Sequence, residues 1–119
     1  MTSAHHAISY VELGAGDLAA TRTFYERAFG WEFNDYGPEY AGIRSADGAG
    51  EVGGLNATSA PSPGGPLVLI ASHDLEASEA AVRDAGGTIS QEITGYPGGR
   101  RFEFLDPSGN RLGVFQEDA

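Results

Sequence analysis

The chain has 119 residues, seven basic against seventeen acidic side chains, a formal net charge of −10 and no cysteine. This length favours a single domain, residues 1–119, with its own core. The lack of cysteine excludes disulfide bonds and thiolate chemistry. The acidic surplus excludes nucleic acid and anionic membranes as natural partners. With no membrane-spanning run and no signal-peptide pattern at its start, the chain is expected to be cytoplasmic.

The first half of the sequence predicts a strand, a helix and three further strands. Residues 8–13 alternate in character, which predicts a half-buried strand with Tyr10 and Glu12 on one face. Asp17 is a good helix N-cap and Gly30 a good C-terminal stop, so a helix of about three turns is predicted between them. Three short strands are then predicted over 31–36, 40–45 and 51–57.

The second half repeats the order of the first. A polar stretch rich in Gly, Ser and Pro, residues 58–65, separates two modules, 1–57 and 66–119. After it, a strand over 67–71 and a helix capped by Asp74 and ended by Gly86-Gly87 precede strands over 88–93, 101–105 and 111–116. The sequence therefore predicts an α+β fold of two tandem βαβββ modules. The helices cover one sheet face and leave the other to line a cleft.

The cleft face follows from the alternation of side chains in the predicted strands. The Tyr10 and Glu12 set of the first strand and Arg101, Glu103 and Phe115 of the last two face away from the apolar set. Trp31 is also assigned to the cleft, with the core as its alternative. Such a cavity suits a flat aromatic or cationic small molecule. The alternative is that Glu12, Arg101 and Glu103 form an ordinary cross-strand charge pair.

Two stretches carry a family resemblance, residues 10–33 and residues 104–112. They include Tyr-Val-Glu-Leu at 10–13, Phe-Gly-Trp-Glu-Phe at 29–33 and Phe-Leu-Asp-Pro-Ser-Gly-Asn-Arg-Leu at 104–112. They resemble the glyoxalase, bleomycin-resistance and extradiol-dioxygenase proteins, the vicinal oxygen chelate superfamily, over nearly the whole chain. The resemblance implies paired βαβββ modules around a cleft, often completed by a second subunit. It also implies a divalent metal held by side chains on four strands.

The four metal-ligand positions that the resemblance implies hold poor ligands in this chain. They fall on Tyr10, Leu67, Gly113 and either Gly53 or Gly54. Divalent metals in such sites need imidazole or carboxylate donors, which glycine and leucine do not offer. We therefore predict no metal and no other cofactor.

Other candidate ligands do not rebuild a metal site. His5 and His6 are adjacent, so a regular strand would point them to opposite faces. His73 lies at a strand-to-helix turn, where polar residues are common. Glu51 lies two residues before Gly53 on the same strand face, which would bring it towards the cleft; it is interpreted instead as an exposed charge at the end of a strand. None of these residues is predicted to bind a metal.

Two functions remain open on the sequence. The first is a metal-free protein that binds and sequesters an aromatic or cationic natural product or antibiotic, and so confers resistance. The alternative is a metal-independent lyase or isomerase with Glu103 or Glu12 as general base and Arg101 or Tyr10 stabilising an enolate-like oxyanion. A metal-dependent glyoxalase or dioxygenase ranks below both. Open sheet faces and edges favour a homodimer.

Overall fold

The computed structural model describes residues 5–6 and 8–118. Two βαβββ modules follow each other along these residues, which confirms the predicted α+β fold. Within them no helix is long and apolar enough to cross a membrane. The elements are β1 (Val11–Gly14), α1 (Leu18–Phe29), β2 (Phe33–Asp35), β3 (Tyr40–Arg44), β4 (Glu51–Asn56), β5 (Val68–Ala71), α2 (Leu75–Asp84), β6 (Thr88–Tyr96), β7 (Gly99–Leu105) and β8 (Arg111–Glu117).

Each module forms a four-stranded mixed sheet. The strand order is β1-β4-β3-β2 in the first sheet and β5-β8-β7-β6 in the second. The first strand of each module pairs parallel to the last, and the other pairs are antiparallel. As a result, β1 and β5 are edge strands that occupy equivalent places in the two sheets.

Both helices begin and end where the sequence predicts. The Asp17 carboxylate accepts a hydrogen bond from the Ala20 amide at 3.0 Å, and Asp74 accepts one from Ala77 at 3.1 Å. Gly30 ends α1 with a left-handed φ of 70°, a conformation that favours glycine.

Four strands differ from the prediction by two residues or more at one end. β1 starts only at Val11, so Tyr10 directly precedes it, and β2 starts only at Phe33. β6 and β7 extend to a tight hairpin at Pro97-Gly98.

The core is shared by the two modules. Phe24 and Tyr25 of α1 are fully buried, and the Phe24 ring lies 5.8 Å from that of Phe104 on β7. Leu75 and Val82 of α2 and the apolar residues of both sheets complete the cluster. The core therefore lies against one face of each sheet, and the other face of each sheet is left open.

A buried polar contact joins the two modules. The Asn110 side chain donates to the Gly14 carbonyl at 2.7 Å and accepts from the Ser62 amide at 3.0 Å. The Tyr25 hydroxyl donates to the Asp106 carboxylate at 2.9 Å. The turn between β7 and β8 thus fixes the end of β1 and the residues between the modules.

Candidate functional site

A connected polar cluster covers the open face of the first sheet. We call it the tyrosine–glutamate network. Its two carboxylates are joined by three phenols and two amides, and two glycines lie beneath them. The members are Tyr10, Glu12, Asn34, Tyr36, Tyr40, Glu51 and Asn56.

Glu51 is the centre of one half of the network. Its Oε1 accepts from the Asn34 amide at 2.9 Å and from the Tyr36 hydroxyl at 2.7 Å, and its Oε2 accepts from the Tyr10 hydroxyl at 2.8 Å. These donors, led by Asn34, lower the pKa of the Glu51 carboxyl below its ordinary value. As the sequence predicts, Glu51 lies at the end of a strand, but its side chain is only partly exposed because it belongs to this network.

Glu12 is the centre of the other half. Its Oε1 accepts from the Tyr40 hydroxyl at 3.0 Å, and its Oε2 accepts from the Asn56 amide at 3.2 Å. The hydroxyl oxygens of Tyr10 and Tyr40 lie 3.0 Å apart and link the two halves. Partial burial, then the contacts with Tyr40 and Glu51, raises the pKa of Tyr10. The four groups form one chain in the order Glu51, Tyr10, Tyr40, Glu12.

Two glycines allow these side chains to lie flat on the sheet. Gly42 and Gly54 pair across β3 and β4. A Cβ atom at Gly42 would collide with the Glu51 carboxylate, and one at Gly54 with the Tyr40 phenol. A register shift between Ile43 and Arg44 brings Glu51 to the same face. The floor of the network therefore depends on residues without side chains.

The open face of the second sheet carries a different polar group. Glu103 is 5% exposed and accepts from the Arg111 guanidinium at 2.5 Å, with Arg101 at 3.7 Å. The Arg101 guanidinium also lies 5.5 Å from the centre of the Tyr96 ring. Arg101 pairs in register with Phe115. Arg101, Glu103 and Phe115 thus share the face that alternation predicts, and their binding role stays a prediction.

Trp31 lies apart from both polar groups. Its ring stacks on the buried ring of Tyr25, with centroids 4.5 Å apart and planes inclined by 9°. It also lines an apolar groove of about 800 Å³ between the modules, together with Phe29, Val52 and Leu69. Trp31 therefore packs against the core, as the alternative prediction has it, and part of its ring is accessible from the groove.

The structure does not gather the six predicted site residues into one place within the chain. Tyr10 and Glu12 lie on the first sheet, whereas Arg101, Glu103 and Phe115 lie on the second. Over residues 8–118, no hydrogen bond or ion pair joins these two groups. The charge pair considered as an alternative leaves out Glu12. Glu103 pairs across strands with Arg111 of β8, and Arg101, two residues away on β7 itself, adds a second contact.

Sequence reasoning missed most of the network. Only Tyr10 and Glu12 are assigned to the cleft from the sequence. The other five members are Asn34, Tyr36, Tyr40, Glu51 and Asn56. Alternation within β2, β3 and β4 was the available signal, since Asn34, Gly42 and Gly54 share one register row. The register shift at Ile43 and Arg44 hides Glu51 from that signal.

The residues present do not fit the divalent metal that the fold family implies. Gly54 pairs with Glu12 on the open side, and Gly53 pairs with Val11, so the fourth position is a glycine in either register. The carboxylate oxygens of Glu12 and Glu51 already accept five hydrogen bonds from side chains. Among the described residues no group of three or more His, Cys, Asp or Glu is placed to hold an ion. His5, His6 and His73 are exposed.

Comparison with known proteins defines the class. The model of the Glyoxalase/Bleomycin resistance protein/Dioxygenase superfamily matches residues 7–114, and the chain belongs to this superfamily. A curated relative, "Anthracycline biosynthesis protein DnrV" of Streptomyces peucetius, is 29% identical over 123 aligned positions. That match covers 98% of this chain and 43% of the relative, so the chain spans less than half of the relative's length.

Solved structures share the fold. A glyoxalase-related enzyme from Fulvimarina pelagi superposes with a TM-score of 0.78 at 22% identity, covering 94% of this chain and 88% of that chain. A glyoxalase/bleomycin resistance protein/dioxygenase family enzyme from Burkholderia phytofirmans PsJN gives 0.76 at 20% identity, covering 93% and 98%. At these identities the likeness concerns the fold alone.

Proposed function

We propose that the chain is a metal-free small-molecule-binding protein that sequesters an aromatic or cationic natural product or antibiotic in the cytoplasm. The tyrosine–glutamate network carries this proposal. It occupies the sheet face where the superfamily's ligand position on the first strand falls, and it offers phenol rings, hydrogen bonds and negative charge in place of metal donors. Sites of this composition hold guests by stacking and by a few convergent polar contacts.

The chemistry of the guest is suggested by the exposed rings and by one relative. Tyr10 and Tyr36 are 40% and 58% exposed on the open face, so their rings are available to a flat partner. The net charge of −10 attracts cations. The relative is named for anthracycline biosynthesis, and anthracyclines combine a flat polycyclic ring system with a basic amino sugar. An anthracycline-like guest therefore matches both features.

We further propose that a second copy of the chain completes the site. The network contributes two carboxylates, whereas Arg101, Arg111 and Glu103 on the other sheet together carry a net positive charge. Faces of opposite sign attract, so the first sheet of one copy is expected to face the second sheet of another. A two-fold axis repeats this contact and creates two equivalent clefts in a homodimer.

A binding assay tests the proposed function. Fluorescence anisotropy of an anthracycline titrated with purified protein is expected to rise and saturate, and mass spectrometry is expected to recover the compound unchanged. Expression of the protein is expected to protect a sensitive host. No rise in anisotropy across a panel of cationic and neutral polycyclic compounds, with no protection of the host, would contradict the proposal.

A metal-independent lyase or isomerase is the second candidate, because one chain of hydrogen-bonded groups connects Glu12 to Glu51 through two phenols. Such a chain can move a proton between two carboxylates. Glu103 suits the role of general base less well because it is paired with two arginines. Conversion of the guest to a product, abolished by Glu12→Gln and retained by Glu103→Gln, would favour this candidate.

A further inference from the structure

Within residues 8–118, no ion pair balances the negative charge of the tyrosine–glutamate network. All seven basic residues are arginines. Six of them form ion pairs with other acids, and Arg27 donates to the Asp84 carbonyl. Within residues 8–118, neither Glu12 nor Glu51 has an ion-pair partner. A cation supplied by a ligand would therefore meet two carboxylates without displacing an arginine.

Part of the network also has fewer hydroxyl hydrogens than oxygen-to-oxygen contacts. Three oxygen-to-oxygen contacts, at 2.8, 3.0 and 3.0 Å, connect Glu51, Tyr10, Tyr40 and Glu12. Each phenol carries one hydrogen, and an ionised carboxylate carries none. Two hydrogens thus serve three contacts, and the contact between the two phenol oxygens lacks one when both phenols donate to carboxylates. A ligand that donates N–H groups supplies what the network lacks.

The shape of the network suits a small cation above a layer of rings. Tyr40 and Glu51 lie flat over Gly54 and Gly42, and the Tyr36 and Tyr40 ring centroids are 6.1 Å apart with planes inclined by 53°. A cation within about 6 Å of such ring faces is attracted by their electron density. The rings and the carboxylates therefore favour the same kind of ligand group.

We propose that the tyrosine–glutamate network is an ammonium-binding site that takes the protonated amine of the guest. This inference rests on the proposed function and specifies its substrate class as aromatic compounds that carry a protonated alkylamine. The amine lies over the phenols of Tyr10, Tyr36 and Tyr40. It lies between Glu12 and Glu51 and donates N–H hydrogen bonds to their carboxylates. The flat rings of the guest then extend towards the sheet that completes the cleft.

The first arm of the test compares two forms of one guest. An anthracycline with a free amino sugar and the same compound N-acetylated on that amine share their ring system but differ in charge. The wild-type chain is expected to bind the free amine at least about tenfold more tightly, since hydrogen bonds to charged groups and cation–π contacts are lost on acetylation. Equal affinity for the two forms would overturn the ammonium site and leave the proposed function standing.

The second arm uses a charge-matched pair of double variants. Glu12→Gln with Glu51→Gln is expected to abolish the preference for the amine over the N-acetylated form, because neither carboxylate is left to bind the ammonium group. Glu39→Gln with Glu92→Gln removes the same charge from exposed positions outside the network and is expected to keep the preference. An equal loss in both double variants would assign the preference to overall charge and overturn the site.

The third arm does not need an anthracycline. Benzylamine, which is protonated at neutral pH, is expected to shift the NMR ring signals of Tyr10, Tyr36 and Tyr40, and benzyl alcohol is not. If anthracyclines fail to bind but benzylamine shifts these signals, the ammonium site is supported and only the larger guest is wrong. If benzylamine leaves all three rings unchanged, the ammonium site is refuted.

Discussion

At the scale of single residues, Asp106 connects the turn between β7 and β8 to the core by hydrogen bonds. Its buried carboxylate accepts from the Tyr25 hydroxyl at 2.9 Å, the Asn110 amide at 3.0 Å, and the backbone amides of Ser108 and Asn110 at 2.9 and 3.0 Å. One side chain thus satisfies four donors. Because Tyr25 belongs to the first module and Asp106 to the second, this group also holds the modules together.

Asp106→Ala is expected to lower the free energy of unfolding by about 3 kcal/mol, since it leaves several buried donors without an acceptor. Tyr25→Phe removes only one of the four donors and is expected to cost about 1 kcal/mol. Urea unfolding followed by circular dichroism measures both. Equal losses in the two variants would show that the carboxylate has no role beyond its contact with Tyr25.

Tyr25 also makes stability depend on alkaline pH. Burial, then the nearby Asp106 carboxylate, raises the pKa of its phenol well above the ordinary value. Above the pKa of the unfolded tyrosine, the unfolded state loses a proton that the folded state keeps, so the free energy of unfolding falls as pH rises. The expected slope from this residue is about 1.4 kcal/mol per pH unit above about pH 10.

Urea unfolding between pH 8 and 11 checks this dependence, with Tyr25→Phe as the control. The variant is expected to lose stability less steeply than the wild type above about pH 10. Parallel curves for the two proteins would contradict the assigned cause. Tyr10, Tyr36 and Tyr40 also have raised pKa values, so part of the slope is expected to remain in the variant.

At the scale of elements, β4 shows how adjacent glycines serve different needs. The position of Gly53 faces the core side, where a Cβ atom would collide with the Val11 backbone carbonyl. The position of Gly54 faces the network, where a Cβ atom would collide with the flexible Tyr40 phenol. The backbone of a paired strand cannot move aside as a side chain can. We therefore expect a larger residue to be tolerated at Gly54 but not at Gly53.

Gly53→Ala is therefore expected to destabilise the fold by about 1–3 kcal/mol through overpacking. Gly54→Ala is expected to keep the melting temperature near that of the wild type but to weaken guest binding, because the Tyr40 ring is displaced. Thermal unfolding and an anisotropy titration on the two variants check this. A stable Gly53→Ala protein or a fully active Gly54→Ala protein would contradict the assignment of faces.

Helices and strands were predictable from the sequence where the residues that define them are close together in the chain. Asp17, Gly30 and Asp74 mark helix ends by interactions within a few residues, and the helices lie where expected. Alternation predicts the face shared by Glu12 and by Tyr10, which directly precedes β1. Glu51 was missed because a register shift depends on the partner strand. Such a pairing leaves no mark in the sequence of β4 alone.

At the scale of the whole molecule, the two modules share one core and leave two open sheet faces that carry different polar groups. The network lies on one face and Glu103 with its two arginines on the other. The sequence predicted Tyr10 and Glu12 of the first group and Arg101 and Glu103 of the second, but not that the chain keeps the two groups apart. Their separation depends on the packing of α1 against α2 and β7, which involves residues far apart in sequence.

This separation leads to a prediction about assembly. Sedimentation equilibrium at micromolar concentration is expected to give a mass near twice the chain's 12.4 kDa, because a second copy can bring opposite faces together. Partly exposed Val52 and Leu69 beside the groove add apolar surface for such a contact. A monomeric mass across this concentration range would contradict the shared cleft.

Calorimetric titration of the chelator-treated protein with an anthracycline tests the central claim most directly. The tyrosine–glutamate network needs no metal to present its phenols and carboxylates. We therefore expect saturable heat of binding before any metal is added, with the same affinity after Mn²⁺, Ni²⁺, Zn²⁺ or Fe²⁺ is supplied. Binding that appears only once one of these ions is present would contradict the account and restore a metal-dependent site.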